Sequence, residues 1–490
     1  MPASLNEAEV TLAALLQRRG PSAAPLLRDA LASTKPLAAC GITLDFSRQR
    51  LDAAALQLLR RLAADRDVIG AHRAMVGGEV VNVSEQRPAL HTALRSPADS
   101  DLAGPPAVRH AVHAELGRLR AFGEGVRSGA WRGAGGRAIT DVINIGIGGS
   151  DSGPRLLCDA LGELADGPRV HFLSNVDGHR VARLLPRLDP TTTLAVVSSK
   201  SFSTRETLLN AEAVRAWLAK AGINEASLGQ HMVVVSAKPG AALTLGVPDA
   251  NQFHLWDWVG GRFSVWSAIG LPALLALGPA RFDAFLAGGH AMDRHALDSP
   301  LEANLPATLA LLAFWNIAVL RTTSECLLPY DDRLRGMVTW LQQLEMESLG
   351  KSRGADGGWV SLPTIQPVWG GVGTDAQHTF FQALRQGTSR TAIDIVLVER
   401  PQHAYAEHHR VLLANARAQA EALVLQDPDS QAVNAVSVLE LRDLSPATVG
   451  NLMALYEHKT TMLATLLGLN AFDQPGVELG KTLARQQEQG

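Results

Sequence analysis

Cysteine is scarce in this chain of 490 residues: Cys40, Cys158 and Cys326 are the only three. They are odd in number and far apart, with no CxxC pair and no nearby His at zinc spacing, which argues against a disulfide framework and a zinc site. Free thiols in a reducing compartment are the expectation, and with them a cytoplasmic location. A basic excess is also missing. Lys and Arg total 45 against 48 Asp and Glu, a formal net charge of −3, so no nucleic-acid partner is expected. The most apolar stretch, residues 307–320, is interrupted by Asn316 and is too short to cross a bilayer, so no membrane partner is expected and a buried core helix is the better reading. Residues 1–20 hold Glu7 and Glu9 and no basic region ahead of an apolar run, which argues against a signal peptide. What is present is 46% hydrophobic and 19% charged residues, the composition of a globular protein of two to four domains at roughly 150 residues each.

From residue 107 onward, short β-rich runs alternate with amphipathic helical runs. Residues 142–147, 170–173, 193–197, 231–235 and 393–398 are such strands, and their separation by helical segments predicts parallel βαβ units in layered α/β sheets. Residues 279–349 read as mostly helical, with strand character resuming at 359–365. The parse is a largely helical segment 1–105, a first α/β unit 106–278 and a second 279–490.

Six places hold residues suited to chemistry. In residues 143–154, INIGIGGSDSGP, an apolar strand runs into Gly146, Gly148, Gly149 and Ser150 ahead of a helix. Such a turn aims backbone N–H groups at an anion. It is not a dinucleotide fingerprint, because Asp151 occupies the slot of the third glycine. After the strand 193–197 comes SSKSFSTRET, residues 198–207, with six hydroxyl side chains and two cations at a strand-to-helix junction. An N-cap needs one hydroxyl; six, beside Lys200 and the positive end of a helix, suit a phosphate dianion. No GxxxxGK-S/T motif is present, so this is no P-loop. Arg262 follows Gly260 and Gly261, where a permanent cation can approach a ligand or simply meet solvent.

In residues 334–349, Met337, Leu341 and Leu344 form one helical stripe, and Trp340, Gln343 and Glu347 another. On a pocket wall, Glu347 would pack against Trp340, and desolvation would make it a general base. Glu345 is offset from that face and reads as structural. His378, after a glycine-rich turn at 370–373, could move protons between ring oxygen and hydroxyl groups. Lys481 follows the turn 472–480 and suits a sugar-oxygen or phosphate contact. The histidines 403, 408 and 409 lack a third-ligand pattern for a metal. Together these groups suit proton transfer between adjacent carbons of a phosphorylated sugar, which needs a carboxylate, a cation at the enediolate oxygen and an acid/base for ring opening. The glutamate base of triosephosphate isomerase follows the same chemical logic.

The ordered motifs IGIGGSDSGP, SSKSFSTRET, GGRFSVWSAIGLP, LPYDDRL, QQLEMESLGK, GTDAQHTFFQ and FDQPGVELGK resemble those of the glucose-6-phosphate isomerase family over nearly the whole chain. The resemblance implies two sugar-isomerase (SIS) domains, each a parallel-sheet α/β/α sandwich, with the N-terminal helical segment on the second. It implies reversible conversion of glucose 6-phosphate to fructose 6-phosphate through a cis-enediol, with no cofactor and no metal, in a homodimer whose active site is shared. Glu347 matches the family's base, His378 the ring-opening histidine supplied by the partner subunit, and Lys481 a lysine assisting ring opening. Arg262 matches the arginine beside the enediolate. Ser199, Ser201 and Thr204, with the neighbouring Lys200, match the phosphate loop, and Gly149 and Ser150 the facing turn. Gln343 and Gln474 match substrate-lining glutamines, and Glu206 an acid that orients the histidine. A non-catalytic sugar-phosphate-binding protein of the same domains would keep the hydroxyl loop without needing Glu347, His378 and Lys481 together.

The chain departs from the family pattern in a few places. Leu349 stands where Asn is usual, Pro475 where Trp is common, Ser201 and Ser203 where Thr is commoner, and Arg205 where Gln is. Leu349 lies two residues past the base and is expected to point away from it on a helix.

Overall fold

The computed structural model describes residues 7–18, 35–102, 104–425 and 430–489. Helix Glu7–Leu16 is followed by a hairpin of β1 (Leu37–Ala39) and β2 (Ile42–Arg48). Ile42, Leu44 and Phe46 are buried and alternate with half-buried Thr43 and Asp45, the period of two that lays one strand face on a core. The sequence predicts a helical segment here. Helices Ala53–Asp65 and Val68–Gly77 agree with that expectation, and the hairpin differs from it.

The first sheet holds β3 (Asp141–Ile145), β4 (Arg169–Leu173), β5 (Thr193–Ser198), β6 (Met232–Ser236) and β7 (Gln252–His254). They are all parallel, in the order β4-β3-β5-β6-β7. Ile143, Ile145, Val197 and Val234 enter one core, and Val142, Val196 and Val235 the other. Burial on both faces is why these strands read as unbroken apolar runs. Gly278, with φ +87°, separates the helix Leu271–Leu277 from Pro279–Asp298.

The second sheet adds β8 (Ser324–Tyr330), β9 (Val368–Gly370), β10 (Arg390–Val398) and β11 (Val433–Leu441) to the hairpin. Its order is β1-β2-β11-β10-β8-β9. β8 to β11 are parallel, whereas β2 pairs antiparallel with β11. Two expectations change here. The helical reading of 279–349 misses β8, a central strand that begins after Arg321, at φ +57°, closes the preceding helix. The strand expected at 359–365 reduces to one bridge, Arg353 to Trp359, and pairing starts at Val368. Pro363 and Pro367 withhold two N–H donors there.

Between the sheets run two long helices, Pro279–Asp298 and the almost wholly buried Pro446–Leu467. Their backbones touch: a Cβ on Gly450 would run into the Phe285 carbonyl, and one on Gly288 into that of Ala447. The stretch 305–320 is the buried helix the sequence predicts, with every residue of Leu305–Trp315 buried and a wider π turn at Asn316–Leu320. Two charge clusters flank the Pro446–Leu467 helix. Arg95 binds Asp293 at 2.6 Å and Glu457 at 2.5 Å, and Lys459 binds Glu325 at 2.5 Å and Glu345 at 2.8 Å.

Candidate active site

The two anion-suited turns both leave the C-terminal edge of the first sheet, where parallel strands pass into helices. β3 enters the helix Gly149–Ala160 through Gly148, whose φ of +61° and ψ of −126° only glycine adopts freely. A Cβ on Gly149 would strike the Gly261 carbonyl. The two glycine turns therefore lie backbone to backbone, which brings Arg262 to the same corner.

β5 enters the helix Arg205–Lys220 through residues 199–204. Phe202 is buried and turns the chain at φ +51°. Ser201 and Ser203 on either side stay exposed and share a hydrogen bond at 2.7 Å. Thr204 sits at the N-cap without a side-chain cap; its Oγ1 accepts from Ser199 at 3.4 Å. The loop therefore presents its hydroxyls beside the positive end of a sixteen-residue helix. Lys200 lies on the same loop and ties it to its neighbour. Its ammonium donates to the carbonyls of Asp257 at 2.6 Å and Val259 at 2.8 Å, and burial draws its pKa down. It staples two loops, and in this arrangement its charge is spent on carbonyl oxygens.

These turns wall a cleft of about 1180 Å³ that is lined by Gly149, Ser150, Ser199, Lys200, Ser201, Thr204, Glu206, Gly261 and Gln474, among others. Arg87, Pro88 and His91 of the N-terminal segment join that lining, and the His91 ring stacks on Phe263 at 4.5 Å.

Behind Gly261 and Gln474 lies the charged centre. Arg262 is buried; its Nε donates to Ser348 Oγ at 2.7 Å and its Nη1 to Gln474 Oε1 at 3.0 Å. Its Nη2 donates to the carbonyls of Ala471 and, at 3.2 Å, Asp473. Nη1 also lies 3.5 Å from Glu347 Oε2. Burial lowers the guanidinium pKa, yet an arginine keeps its charge. Gln343 Nε2 donates to Glu347 Oε2 at 3.2 Å, and Gln343 Oε1 accepts from Ser152 at 2.9 Å. Beneath, Lys351 pairs with Asp473 at 2.9 Å. Burial alone would raise the Asp473 carboxyl, but hydrogen bonds from Ser84 and Lys351 outweigh it and hold the group below the usual carboxylate range.

Glu347 thus faces a guanidinium and an amide, whereas the sequence predicts Trp340 beside it. The helix Met337–Leu341 widens into a π turn at Gln342–Met346 before Glu347. The extra residue in that turn rotates Glu347 out of the stripe that Trp340 begins. Trp340 is buried at 2% exposure, and the Glu347 side chain is 26% exposed. Leu349 is fully buried in the main core and is not among the residues lining the cleft. Pro475 is exposed at the start of a short helical turn.

The remaining candidates divide. His378 ends the short helix Gly373–Gln377, is exposed, and is not among the residues lining this chain's cleft. Among the described residues no hydrogen bond joins it to Glu206. Lys481 belongs to the helix Glu478–Gln489, and its side chain lies outside the described residues. Ser348, Ser152, Lys351 and Asp473 are functional neighbours that the sequence reading does not single out.

A family model described as phosphoglucose isomerase matches residues 45–489. The glucose-6-phosphate isomerase of Cupriavidus taiwanensis is 44% identical over 473 residues, covering 92% of this chain and 86% of that protein. That of Brucella suis biovar 1 is also 44% identical, over 90% of this chain and 85% of its own length. Among solved structures, a glucose-6-phosphate isomerase from Chlamydia trachomatis superposes with a TM-score of 0.85 at 32% identity, covering 98% of this chain and 95% of the other. Among the described residues, no helix is long and apolar enough to cross a membrane. With a family model matching nearly all of the chain and relatives 44% identical over most of its length, this chain belongs to the phosphoglucose isomerase family.

Proposed function

We propose that this protein interconverts D-glucose 6-phosphate and D-fructose 6-phosphate, with Glu347 as the base that moves a proton between C2 and C1. The observation that carries the reading is the Glu347 carboxylate, held by Arg262 at 3.5 Å and Gln343 at 3.2 Å behind a cleft whose other wall is the hydroxyl-rich loop. In that reading the phosphate is bound by Ser199, Ser201 and Thr204 with the N-terminal amides of the Arg205–Lys220 helix, and Gly149 and Ser150 face it. Lys200 contributes by fixing the loop. Glu347 takes the C2 proton of the open aldose as electron density moves onto O1. Arg262 stabilises the enediolate, the O2 hydroxyl proton passes to O1 through that intermediate, and the proton held by Glu347 is delivered to C1 as C2=O forms, giving the ketose. Gln343 and Gln474 hold Glu347 and Arg262 in register. The relatives' shared name and the intact motif supporting each role favour this reading.

Ring opening falls to His378 with Lys481, and Glu206 orients the imidazole. Because His378 is exposed and apart from the cleft of its own chain, the reading includes a homodimer in which each copy completes the other's site. It also includes two sugar-isomerase domains at 106–278 and 279–490, with 1–105 attached to the second, and a cytoplasmic location. The reaction needs no redox cofactor, since the proton transfer conserves electrons, and in this reading Arg262 supplies the charge at the enediolate without a metal.

The test supplies fructose 6-phosphate and couples product glucose 6-phosphate to NADP reduction by an added dehydrogenase, with EDTA present. Wild type turns over in EDTA. His378→Ala and Glu347→Gln homodimers are each nearly inactive, and refolding them together restores about one site in four, because half of randomly mixed dimers are hybrids and each hybrid has one intact site. No turnover by wild type, with fructose 6-phosphate still raising the melting temperature, would indicate a sugar-phosphate-binding protein without catalysis. Turnover by wild type with no recovery in the mixture would place the whole site in one chain.

A further inference from the structure

Glu345 and Glu347 are two residues apart on one helical turn, about 200° around its axis, so one can face the cleft only if the other faces the interior. Glu345 is fully buried. It lies in the π turn Gln342–Met346 that immediately precedes Glu347. A π turn is a rare local geometry that must be held by its surroundings, and moving the extra residue elsewhere along the helix would rotate everything after it. The interior groups of this turn are Leu344 and Glu345. A leucine packs without directional preference. Glu345 instead meets a single cation, Lys459 Nζ, at 2.8 Å.

Lys459 is itself immobilised. It lies on the buried helix Pro446–Leu467 and pairs with Glu325 of β8 at 2.5 Å. Asp394 of β10 faces the same cluster and accepts from Tyr456 OH at 2.9 Å. The charged and titratable groups around Glu345 are therefore Glu325, Asp394, Lys459 and Tyr456, drawn from two strands and the longest buried helix. Three carboxyls share one ammonium. Burial and the Glu325 charge raise the Glu345 pKa.

We propose that Glu345, through Lys459, is a positioning residue for Glu347: the buried Glu345–Lys459 contact locks the π turn whose opposite face carries the base. The inference rests on the reading of Glu347 as the base. It separates two halves of the site. The turn is fastened from below, by Glu345 to Lys459, and from the cleft side by Ser348 to Arg262 at 2.7 Å and Gln343 to Ser152 at 2.9 Å. The phosphate loop belongs to the other sheet and does not depend on that lock.

Full-length wild type, Glu345→Gln, Glu325→Gln and Glu347→Gln are compared for kcat, KM for fructose 6-phosphate and melting temperature. Glu345→Gln lowers kcat about 30-fold with KM within about two-fold of wild type, as expected for a displaced but present base. Glu325→Gln removes a carboxyl from the same cluster but leaves the Glu345 side chain and its contact with Lys459 in place, so it lowers the melting temperature with a much smaller loss of kcat. A Glu345→Gln enzyme with wild-type kcat overturns the proposal, as does a kcat loss equal in the two buried variants. Should Glu345→Gln not accumulate as folded protein, Glu345→Asp keeps the carboxyl group and shortens the arm by one methylene. There too kcat falls with KM held, and an unchanged kcat overturns the proposal. Glu347→Gln keeps the two readings apart: full activity in it removes the base assignment itself, whereas an inactive Glu347→Gln beside a normal Glu345→Gln removes only the positioning role.

Discussion

A guanidinium carries five N–H donors, and in Arg262 four protein acceptors take them: Ser348 Oγ, Gln474 Oε1 and the carbonyls of Ala471 and Asp473. The same group fixes the loop at 471–474 and stands beside Glu347. A lysine has one point charge and cannot reach those acceptors together. Arg262→Lys is therefore expected to lower kcat about 100-fold, the scale of removing one fixed electrostatic donor, and to lower the melting temperature as the loop loosens. Steady-state kinetics and thermal denaturation check it; near-wild-type kcat would mean that charge alone suffices. At this scale the sequence was a partial guide. The Gly-Gly-Arg triplet drew attention to Arg262, and the hydroxyl cluster to Ser199 and Thr204. Ser348 and Ser152 carried no signal, because a single serine on a helix is the same letter whether it faces solvent or holds a guanidinium. The carbonyl partners of Lys200 also carried no signal, because a cation beside hydroxyls looks alike in sequence whether it meets a phosphate, two backbone carbonyls or both.

At the scale of elements, the strands of the first sheet were legible because parallel strands buried on both faces are continuous apolar runs. The run 193–197 and the strand Thr193–Ser198 nearly coincide. β8 was hidden because SECLLPY lies between helical stretches, and a short buried strand and a buried helix segment share one composition. The π turn was invisible for a related reason: a regular period of 3.6 places Glu347 on the stripe of Trp340, and only the packing of Glu345 and Leu344 shows the added residue. Leu349 ends the helical turn Glu347–Leu349 that follows, fully buried, at the position where the resemblance leads one to expect Asn. Leu349→Asn would remove a buried aliphatic side chain and leave an amide without water, costing about 3 kcal/mol of stability, with kcat little changed because the side chain is packed in the core and does not line the cleft. Chemical denaturation and kinetics together decide this; a rise in kcat with no loss of stability would show that Leu349 impairs catalysis.

Across the whole molecule, buried titratable groups set how stability responds to pH. His72, His91 and His458 are fully buried and their pKa values lie below the ordinary 6.5, chiefly through burial. Below pH 6.5 the unfolded chain binds protons that the folded histidines refuse, so these residues favour the fold less as pH falls. Glu345 and Glu457 act in the other direction. Burial pushes Glu457 up to about 7 and Glu345, also raised by Glu325, up to about 8, from 4.5. The folded state keeps protons the unfolded chain has released, so their stabilising contribution is complete below about 4.5 and is lost as pH rises through those values. From pH 6.5 to 8 the histidines no longer change and the carboxyls prevail. Stability then falls, each proton counting for about 1.4 kcal/mol per pH unit. Melting temperatures at constant ionic strength between pH 6.5 and 8 check the sign: a decline that flattens in Glu457→Gln is expected, and a rise contradicts it. The two-sheet α/β architecture was legible from the alternation of runs, whereas the antiparallel hairpin that closes the second sheet was not, because its partner β11 lies nearly 400 residues away in the chain.

The role of Glu347 is tested most directly by isotope transfer. Fructose 6-phosphate is incubated in heavy water with wild type and with Glu347→Gln, and the glucose 6-phosphate formed is read by nuclear magnetic resonance. Wild type should give product carrying deuterium at C2, because a carboxylate that has taken the C1 proton can exchange it before returning it. Glu347→Gln should give almost no product. Undiminished turnover by the variant, with label still entering C2, would show that another group moves the proton.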